Sequence, residues 1–364
     1  MYLSRSTSLL LTSSPINKTL AGGNPIMSKT LGNILKLVIS LGIGIFIVWF
    51  TTSKLTAKDI ADITGIFKRA DYKWLIIGPM IGMLSNIVRA ERWKQLLNSV
   101  GYQPSRMNIA NSVFVMYALN LVFPRLGEVT RCTLLYKTDN IPLDKSIGTM
   151  VLERMVDMVS ILIVGALLMI FQYQLLFDLL NTTILAHYSG SIKQLTTGYG
   201  GILLLVGAIT LGSSLLYFFY YMRGHHILGK VWSFITGIMH GLASILKLDN
   251  PLLFIFYSFL IWFMYFLMIY ICFHCLPETA GLNVWAGLAC LFFGGFAFII
   301  SPGGLGAYPA TIGAVLLIYK VAFTVGFGFG WLVWSVQTAA VIVCGVISFI
   351  LVSRNFSVIQ KTDS

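Results

Sequence analysis

Six apolar runs near the length of a bilayer crossing decide what this chain can fold into: residues 31–50, 74–90, 147–171, 201–222, 251–274 and 324–352. A spanning helix needs about 20 mostly apolar residues, because lipid offers no partner to an open backbone N–H or C=O. Three weaker runs cover 108–124, 284–300 and 305–319, and the last two are separated by SPGGLGAYP, Ser301 to Pro309, a proline- and glycine-rich helix break. Only 10% of the residues are charged against 57% hydrophobic, whereas soluble domains carry about a quarter charged residues. The expected fold is an all-α polytopic integral membrane protein of about 6–8 transmembrane helices, with re-entrant or broken segments near 108–124 and 300–319.

Loop charges order these runs. The net charge of +12 would suggest nucleic acid in a soluble protein. Here it reads as basic loops facing anionic headgroups, so no nucleic-acid partner is expected. Residues 89–106 carry Arg89, Arg92, Lys94 and Arg106, and residues 125–154 carry Arg125, Arg131, Lys137, Lys145 and Arg154. Both segments read as cytoplasmic, yet a single crossing between them would put them on opposite sides. Segment 108–124 is therefore expected to enter and return. By the same rule 172–200 and 275–283 lie outside, 223–250 and the tail with Arg354 and Lys361 inside. Segment 51–73 conflicts with the rule. It carries Lys54, Lys58, Lys68, Arg69 and Lys73 against Asp59, Asp62 and Asp71, and the scheme puts it outside. The spacing of Ile60, Ile63 and Phe67 predicts an interfacial helix there. Both termini are placed in the cytoplasm, and the low charge fits a bacterial inner membrane.

Three charged groups stand where lipid should be. NLVFPRLGEVTR, Asn120 to Arg131, puts Arg125, Glu128 and Arg131 directly after an apolar run, with Glu128 and Arg131 on one helical face. MVLERMVDMVSIL, Met150 to Leu162, puts Glu153 and Asp157 on one face beside Arg154. An ionised group in hydrocarbon costs a few kcal/mol and persists when paired, hydrated or used. Together these residues read as a polar cavity in the cytoplasmic half of the membrane. Arginine forks suit a phosphate, and the carboxylates suit an amine or hydroxyl, or hold the arginines in place. The structural alternative is an ion-pair network that locks helix packing. Arg89 and Arg92, at the end of the second run, read as interfacial residues whose heads reach lipid headgroups. SPGGLGAYP supplies flexible backbone and, at the start of 305–319, open N–H groups suited to an anion; a plain loop is the alternative.

The remaining features are bland. Residues 1–26 are polar and free of acids, too polar for a signal peptide. Met27 is a natural start, so 1–26 reads as an upstream extension, 27–354 as one transmembrane domain and 355–364 as a tail. Cys272 and Cys275 have CxxC spacing without a second pair, and five cysteines in apolar settings give no disulfide framework and no metal site. His225, His226 and His240 fall in the cytoplasmic 223–250 segment, and YFFYYM ends a helix as an aromatic belt. No Walker A, GxSxG, HExxH or nucleotide fingerprint occurs, so no cofactor, ATP-driven pumping or enzyme activity is expected.

These motifs resemble the lysylphosphatidylglycerol synthase transmembrane-region family of flippase-like proteins over roughly residues 30–350. ALNLVFPRLGEVTR is similar to its N-x-x-x-P-x-x-x-G-E-x-x-R element, matched by Asn120, Pro124, Gly127, Glu128 and Arg131. VLERMVDMVSIL resembles its E-R-x-x-D helix through Glu153, Arg154 and Asp157. RAERWKQLL is similar to the R-x-x-R-W ending of its second helix. Pro302, Gly304 and Gly306 match its late P-x-G-x-G segment, where Tyr308 and Pro309 stand near a position often acidic in the family. The resemblance implies a multi-helix membrane domain that moves an aminoacylated lipid between leaflets. No aminoacyl-transferase domain follows the last helix, so lipid aminoacylation is not expected.

The reading that results is lipid translocation by alternating access around a charged cavity. Asn120, Arg125, Glu128, Arg131, Glu153, Arg154 and Asp157 are the substrate-binding candidates: Arg131 and Arg154 on the phosphate, and Glu128, Glu153 and Asp157 on a cationic or hydroxylated part. Pro124, Gly127, Pro302, Gly303, Gly304 and Gly306 are hinge candidates. Membrane lipids are the expected partners, with a separate lipid-modifying enzyme and oligomerisation left open. Two other readings remain: an intramembrane enzyme acting on a lipid phosphate with Glu128 or Asp157 as base, and a non-transporting partner of envelope-lipid enzymes.

Overall fold

The computed structural model describes residues 42, 44–53, 55–123, 126–172, 245–246 and 248–362, with side chains described as far as Arg354. Pro124, Arg125, the 201–222 run, the three cytoplasmic histidines, the YFFYYM belt and the 1–26 extension lie outside the described residues. Among those described, the regular structure is helical: α1 Ala57–Arg69, α2 Tyr72–Ser99, α3 Arg106–Val122, α4 Leu126–Asp139, α5 Leu143–Phe171, α6 Pro251–Cys272, α7 Val284–Ile300, α8 Ala307–Ile318 and α9 Phe323–Thr362. Three stretches, Leu143–Phe171, Pro251–Cys275 and Phe323–Arg354, are long and apolar enough to cross a membrane. The chain is an all-α polytopic integral membrane protein, as its sequence predicts.

The second apolar run becomes a helix much longer than the run itself. Asp71 caps α2 by accepting from the Lys73 N–H at 3.0 Å, and the helix continues to Ser99, through Arg89 and Arg92. Its inward face reads Leu75, Gly78, Gly82, Ser85, Asn86, Arg89, Trp93 and Leu96, the three- and four-residue spacing of one helical stripe. α6 packs antiparallel along that stripe. A Cβ at Gly82 would lie 2.6 Å from the Met268 sulfur, so small residues on α2 set how near the two helices come.

Two helical hairpins are built into this frame. α3 packs against α4, and the mouth of the pair is tied by Asp139. Its carboxylate accepts from the Ser105 backbone N–H at 2.8 Å and from the Asn108 amide at 3.1 Å. The chain therefore enters at Arg106 and returns to the same level at Asp139. The loop charges place the return within 108–124; the structure makes 106–122 the inward limb and 126–139 the return limb, so Arg131 lies inside the hairpin and not in a cytoplasmic loop. α3 has 17 residues, about 25 Å of helix, short of a hydrocarbon core about 30 Å thick. At the far end Asn120 accepts from the Gly127 N–H at 3.0 Å and closes the turn. A Cβ at Gly127 would sit 2.6 Å from that oxygen, so glycine is required by space.

The second hairpin is α7–α8, with the SPGGLGAYP break at its tip. Gly303, Gly304 and Gly306 have φ of 58°, 75° and 69°, the left-handed region that glycine enters freely. The tip is packed on several sides. Ser301 Oγ donates to the Leu305 carbonyl at 2.9 Å, and Trp334 Nε1 donates to the Gly303 carbonyl at 2.7 Å. The helical stretch 44–52 passes over Gly306, whose Cβ would meet Val48 at 2.6 Å. The break is thus a wedged turn, not the open anion cradle that its glycines suggest. Tyr308, near the family's often acidic position, is buried against Phe298 with ring centroids 5.5 Å apart. The two hairpin tips meet: a Cβ at Gly303 would touch Leu121 at 3.0 Å.

Segment 51–73, whose charges conflict with the scheme, is tied to the turn at 275–283. Arg69 pairs with Glu278, and the Asp71 N–H donates to the Cys275 carbonyl at 2.9 Å, so this segment and the 275–283 turn share one end of the molecule. Thr56 and Asp59 cap α1 reciprocally. Ile66 is the residue α1 buries and Phe67 packs beside the core, whereas Ile60 is exposed. Cysteines placed at Lys68 and Glu278 will react with an impermeant maleimide from one side of sealed vesicles, and a cysteine at Lys145, near the other end of the bundle, from the opposite side. Labelling of all three from one side would overturn this arrangement.

Candidate functional site

Glu153 is the centre of the charged cluster. It lies about three turns into α5 and, at 0% exposure, is out of reach of bulk water that would solvate it. Three arginines do so instead. Arg89 Nη1 donates to its Oε1 at 2.6 Å, Arg92 Nη2 reaches the same oxygen at 3.3 Å, and Arg131 Nη2 donates to Oε2 at 2.8 Å. One turn further, Asp157 takes Arg89 Nη1 at 2.7 Å and Arg92 Nη2 at 2.8 Å. The i, i+4 spacing of the two carboxylates on α5 matches the i, i+3 spacing of the two arginines on α2. Each pair bridges the other, and the helices are locked in register.

Aromatic and hydroxyl groups complete the shell. The Arg131 guanidinium stacks on Trp93 with its carbon 4.2 Å from the ring centroid, and Trp93 Nε1 donates to Thr149 Oγ1 at 3.1 Å. Arg92 also donates to Ser258 Oγ at 3.2 Å. Arg89 Nη2 donates to the Tyr265 hydroxyl at 3.3 Å, which lies 3.1 Å from the Tyr117 hydroxyl. Five helices, α2 to α6, thus contribute to one polar knot inside an apolar bundle. A planar, weakly hydrated guanidinium suits such a setting better than an ammonium.

One edge of the knot stays accessible. Arg154 points away from Glu153, and its side chain is 38% exposed. Its guanidinium stands 3.8 Å from Glu128 Oε1 and 3.6 Å from Asp157 Oδ2, the loosest contacts in the cluster. Glu128 and Asp157 are 20% and 14% exposed. The charged residues therefore divide by exposure: a buried set of Arg89, Arg92, Arg131 and Glu153, and an edge of Arg154, Glu128 and Asp157.

The sequence-predicted residues fall on both sides of that division. Glu128, Arg131, Glu153, Arg154 and Asp157 come together as expected. Glu153 is not free to hold a cationic headgroup, since both its oxygens are engaged by arginines. Arg89 and Arg92 are not headgroup contacts at the membrane surface. They are 2% and 0% exposed, because α2 does not end with its apolar run and carries them inward to the α5 carboxylates. Asn120 serves the hairpin turn, and Gly127 the close approach beside it. Pro302, Gly303, Gly304 and Gly306 form the second tip, remote in sequence from the cluster and joined to it through α3. Arg125 and Pro124 lie outside the described residues. Tyr117, Tyr265, Ser258, Trp93 and Thr149 escaped the sequence reading. Only Trp93 and Tyr117 carried a signal, one residue after Arg92 and three before Asn120.

Removing the central carboxylate tests how much the fold leans on it. Glu153→Gln leaves three buried arginines short of a counter-ion, and losing one partner of a buried charge pair costs about 3–5 kcal/mol. The variant will show a large drop in thermal stability in detergent. An unchanged melting temperature would mean that the cluster does not hold the bundle together.

Comparison with known proteins adds three findings. The family described as Lysylphosphatidylglycerol synthase TM region matches residues 33–345, nearly the whole membrane part. A curated protein named Glycosyltransferase AglD, from Haloferax volcanii, is 25% identical over 104 residues. That match covers 28% of this chain and 17% of the relative. No solved structure matches.

Proposed function

The chain belongs to the lysylphosphatidylglycerol synthase TM region family, and on that footing we propose that it moves a lipid headgroup between membrane leaflets. The observation that carries this reading is the accessible edge at Arg154, Glu128 and Asp157, set against a buried core in which both Glu153 oxygens accept from arginines. A cluster serving packing alone has no use for a loose, half-exposed pair beside it. A site that exchanges ligands needs one. Arg154 offers guanidinium N–H groups to a phosphate, while Glu128 is its resting counter-ion. Glu153, Arg89, Arg92 and Arg131 hold the site in place.

The cycle follows from that division. A headgroup phosphate displaces Glu128 from Arg154 while the acyl tails stay in lipid. On release, Glu128 pairs with Arg154 again, so no arginine is left uncompensated in the apolar interior. The hairpins that meet at Leu121 and Gly303 are the elements whose movement exposes the edge to either side. Without a nucleotide-binding motif, the step runs down a lipid gradient or is coupled to an ion.

A leaflet-resolved assay in proteoliposomes tests this. Wild-type protein will accelerate movement of a labelled lipid between leaflets, and Arg154→Ala and Glu128→Gln will each reduce that movement by about tenfold or more, with the fold intact by circular dichroism. Full transport in both variants would refute the role of the edge. Covalent change of the lipid during the assay would instead favour an intramembrane enzyme.

A further inference from the structure

Charge counting at this site identifies the cargo's class. The cluster holds four arginines, Arg89, Arg92, Arg131 and Arg154, against three carboxylates, Glu128, Glu153 and Asp157. Among the described residues, one positive charge is in excess. Of the acids in the sequence, only Asp178 and Asp363 lie outside the described residues. The other described acids lie elsewhere: Glu91 on Arg106, Glu278 on Arg69, Asp139 at the hairpin mouth, Asp59 and Asp71 at helix caps, and Asp62, Asp144 and Asp249 at the surface. An uncompensated cation inside an apolar bundle is costly. A ligand with one net negative charge removes that cost, a zwitterion leaves it unchanged, and a cationic headgroup doubles the excess.

The unpartnered polar atoms point the same way. Arg131 is 0% exposed, yet its Nε and Nη1 meet no acceptor, and neither does Arg154 Nε. Arg89 Nε and Arg92 Nε in the buried core are likewise without an acceptor, so donors are in surplus across the cluster, and Arg154 Nε is the one at the edge. On the acceptor side, both oxygens of Glu153 and of Asp157 already accept from arginines. Glu128 Oε2 is the one cluster oxygen buried without a donor. That oxygen can accept from one hydroxyl, whereas an ammonium group brings three donors and a full charge to it.

We infer that the ligand of this edge is a lipid phosphodiester with one net negative charge and a headgroup hydroxyl, its phosphate on Arg154 and its hydroxyl on Glu128. An aminoacylated, cationic lipid is disfavoured. The inference rests on reading the Arg154–Glu128 edge as a headgroup site, and it is separable from transport because binding alone reveals it.

The test measures thermal stabilisation of the purified full chain in a non-ionic detergent. The probes are dioctanoyl phosphatidylglycerol, dioctanoyl phosphatidylethanolamine, dioctanoyl lysylphosphatidylglycerol and inorganic phosphate. The anionic lipid will act at concentrations lower by about tenfold or more than any other probe, the range expected for hydrogen bonds to a charged group. Arg154→Gln, which makes the cluster neutral, will abolish that preference. Glu128→Gln, which frees Arg154, will retain anion binding and tighten it, and this variant decides the matter should Arg154→Gln fail to fold. Equal or tighter binding of the zwitterionic or lysylated lipid would overturn the inference, as would weaker anion binding in Glu128→Gln. Phosphate alone acting as strongly as the lipid would reassign the edge to a free anion. Anion preference without leaflet transport would keep this inference and remove the transport reading. Transport without anion preference would do the reverse.

Discussion

Glu153 and the three arginines around it are the interaction on which the rest of the bundle depends. A carboxylate excluded from water persists only where donors replace its hydration. Here those donors arrive from α2 and α4, and Asp157 repeats the arrangement one turn along α5. Lipid gives helices no hydrophobic reason to associate, since acyl chains are as apolar as leucine. Register must come from packing and from polar contacts. Gly78 and Gly82 supply the first by letting α6 approach α2. Glu153 supplies the second, because sliding either helix by one residue would separate every pair at once.

The hairpins follow from a different constraint. A helix of the length of α3 or α8 does not span the hydrocarbon core alone, and its open end would leave backbone groups in lipid. Both tips solve this inside the protein. Asn120 satisfies the Gly127 N–H at one tip, and Ser301 and Trp334 take the carbonyls of Leu305 and Gly303 at the other. Each tip then covers its neighbour where Leu121 meets Gly303. The left-handed glycines are needed because this backbone turns tightly beneath Val48 and beside Phe298, where a side chain would find no room.

How far the sequence reveals this depends on the range of the interaction. The spacing of Glu153 and Asp157, the hairpin inferred from two basic segments of like sidedness, and the SPGGLGAYP break are local patterns, and each is legible. The Asp139 clasp is less so, because it joins residues more than thirty apart through one side chain. Arg89 and Arg92 show the limit most clearly. Beyond an apolar run, an arginine normally turns outward to water. What reverses that here is a pair of carboxylates more than sixty residues away, which no periodicity on α2 announces. Tyr265 gives still less signal, as one aromatic among many in PLLFIFYSFLIWFMYFLMIYIC.

The placement of Glu128 and Arg131 on one face of α4 links the site to the hairpin. Arg131 is fixed to Glu153 in the buried core, whereas Glu128, one turn nearer the tip, holds only the loose contact to Arg154. The same short helix thus has an anchored end and a free end within a single turn. A ligand that displaces Glu128 acts on the free end, and the first element beyond it is the turn closed by Asn120 and Gly127. That turn sits beside Leu121, which touches Gly303 of the second hairpin. Under the transport reading, occupation of Arg154 is therefore felt first where the two tips meet, with the Arg131–Glu153 pair as the pivot. The buried core has to be rigid for this to work. A pivot that yielded would absorb the displacement within α4 and leave the tips unmoved, which is a physical reason for so many arginines to converge on one carboxylate.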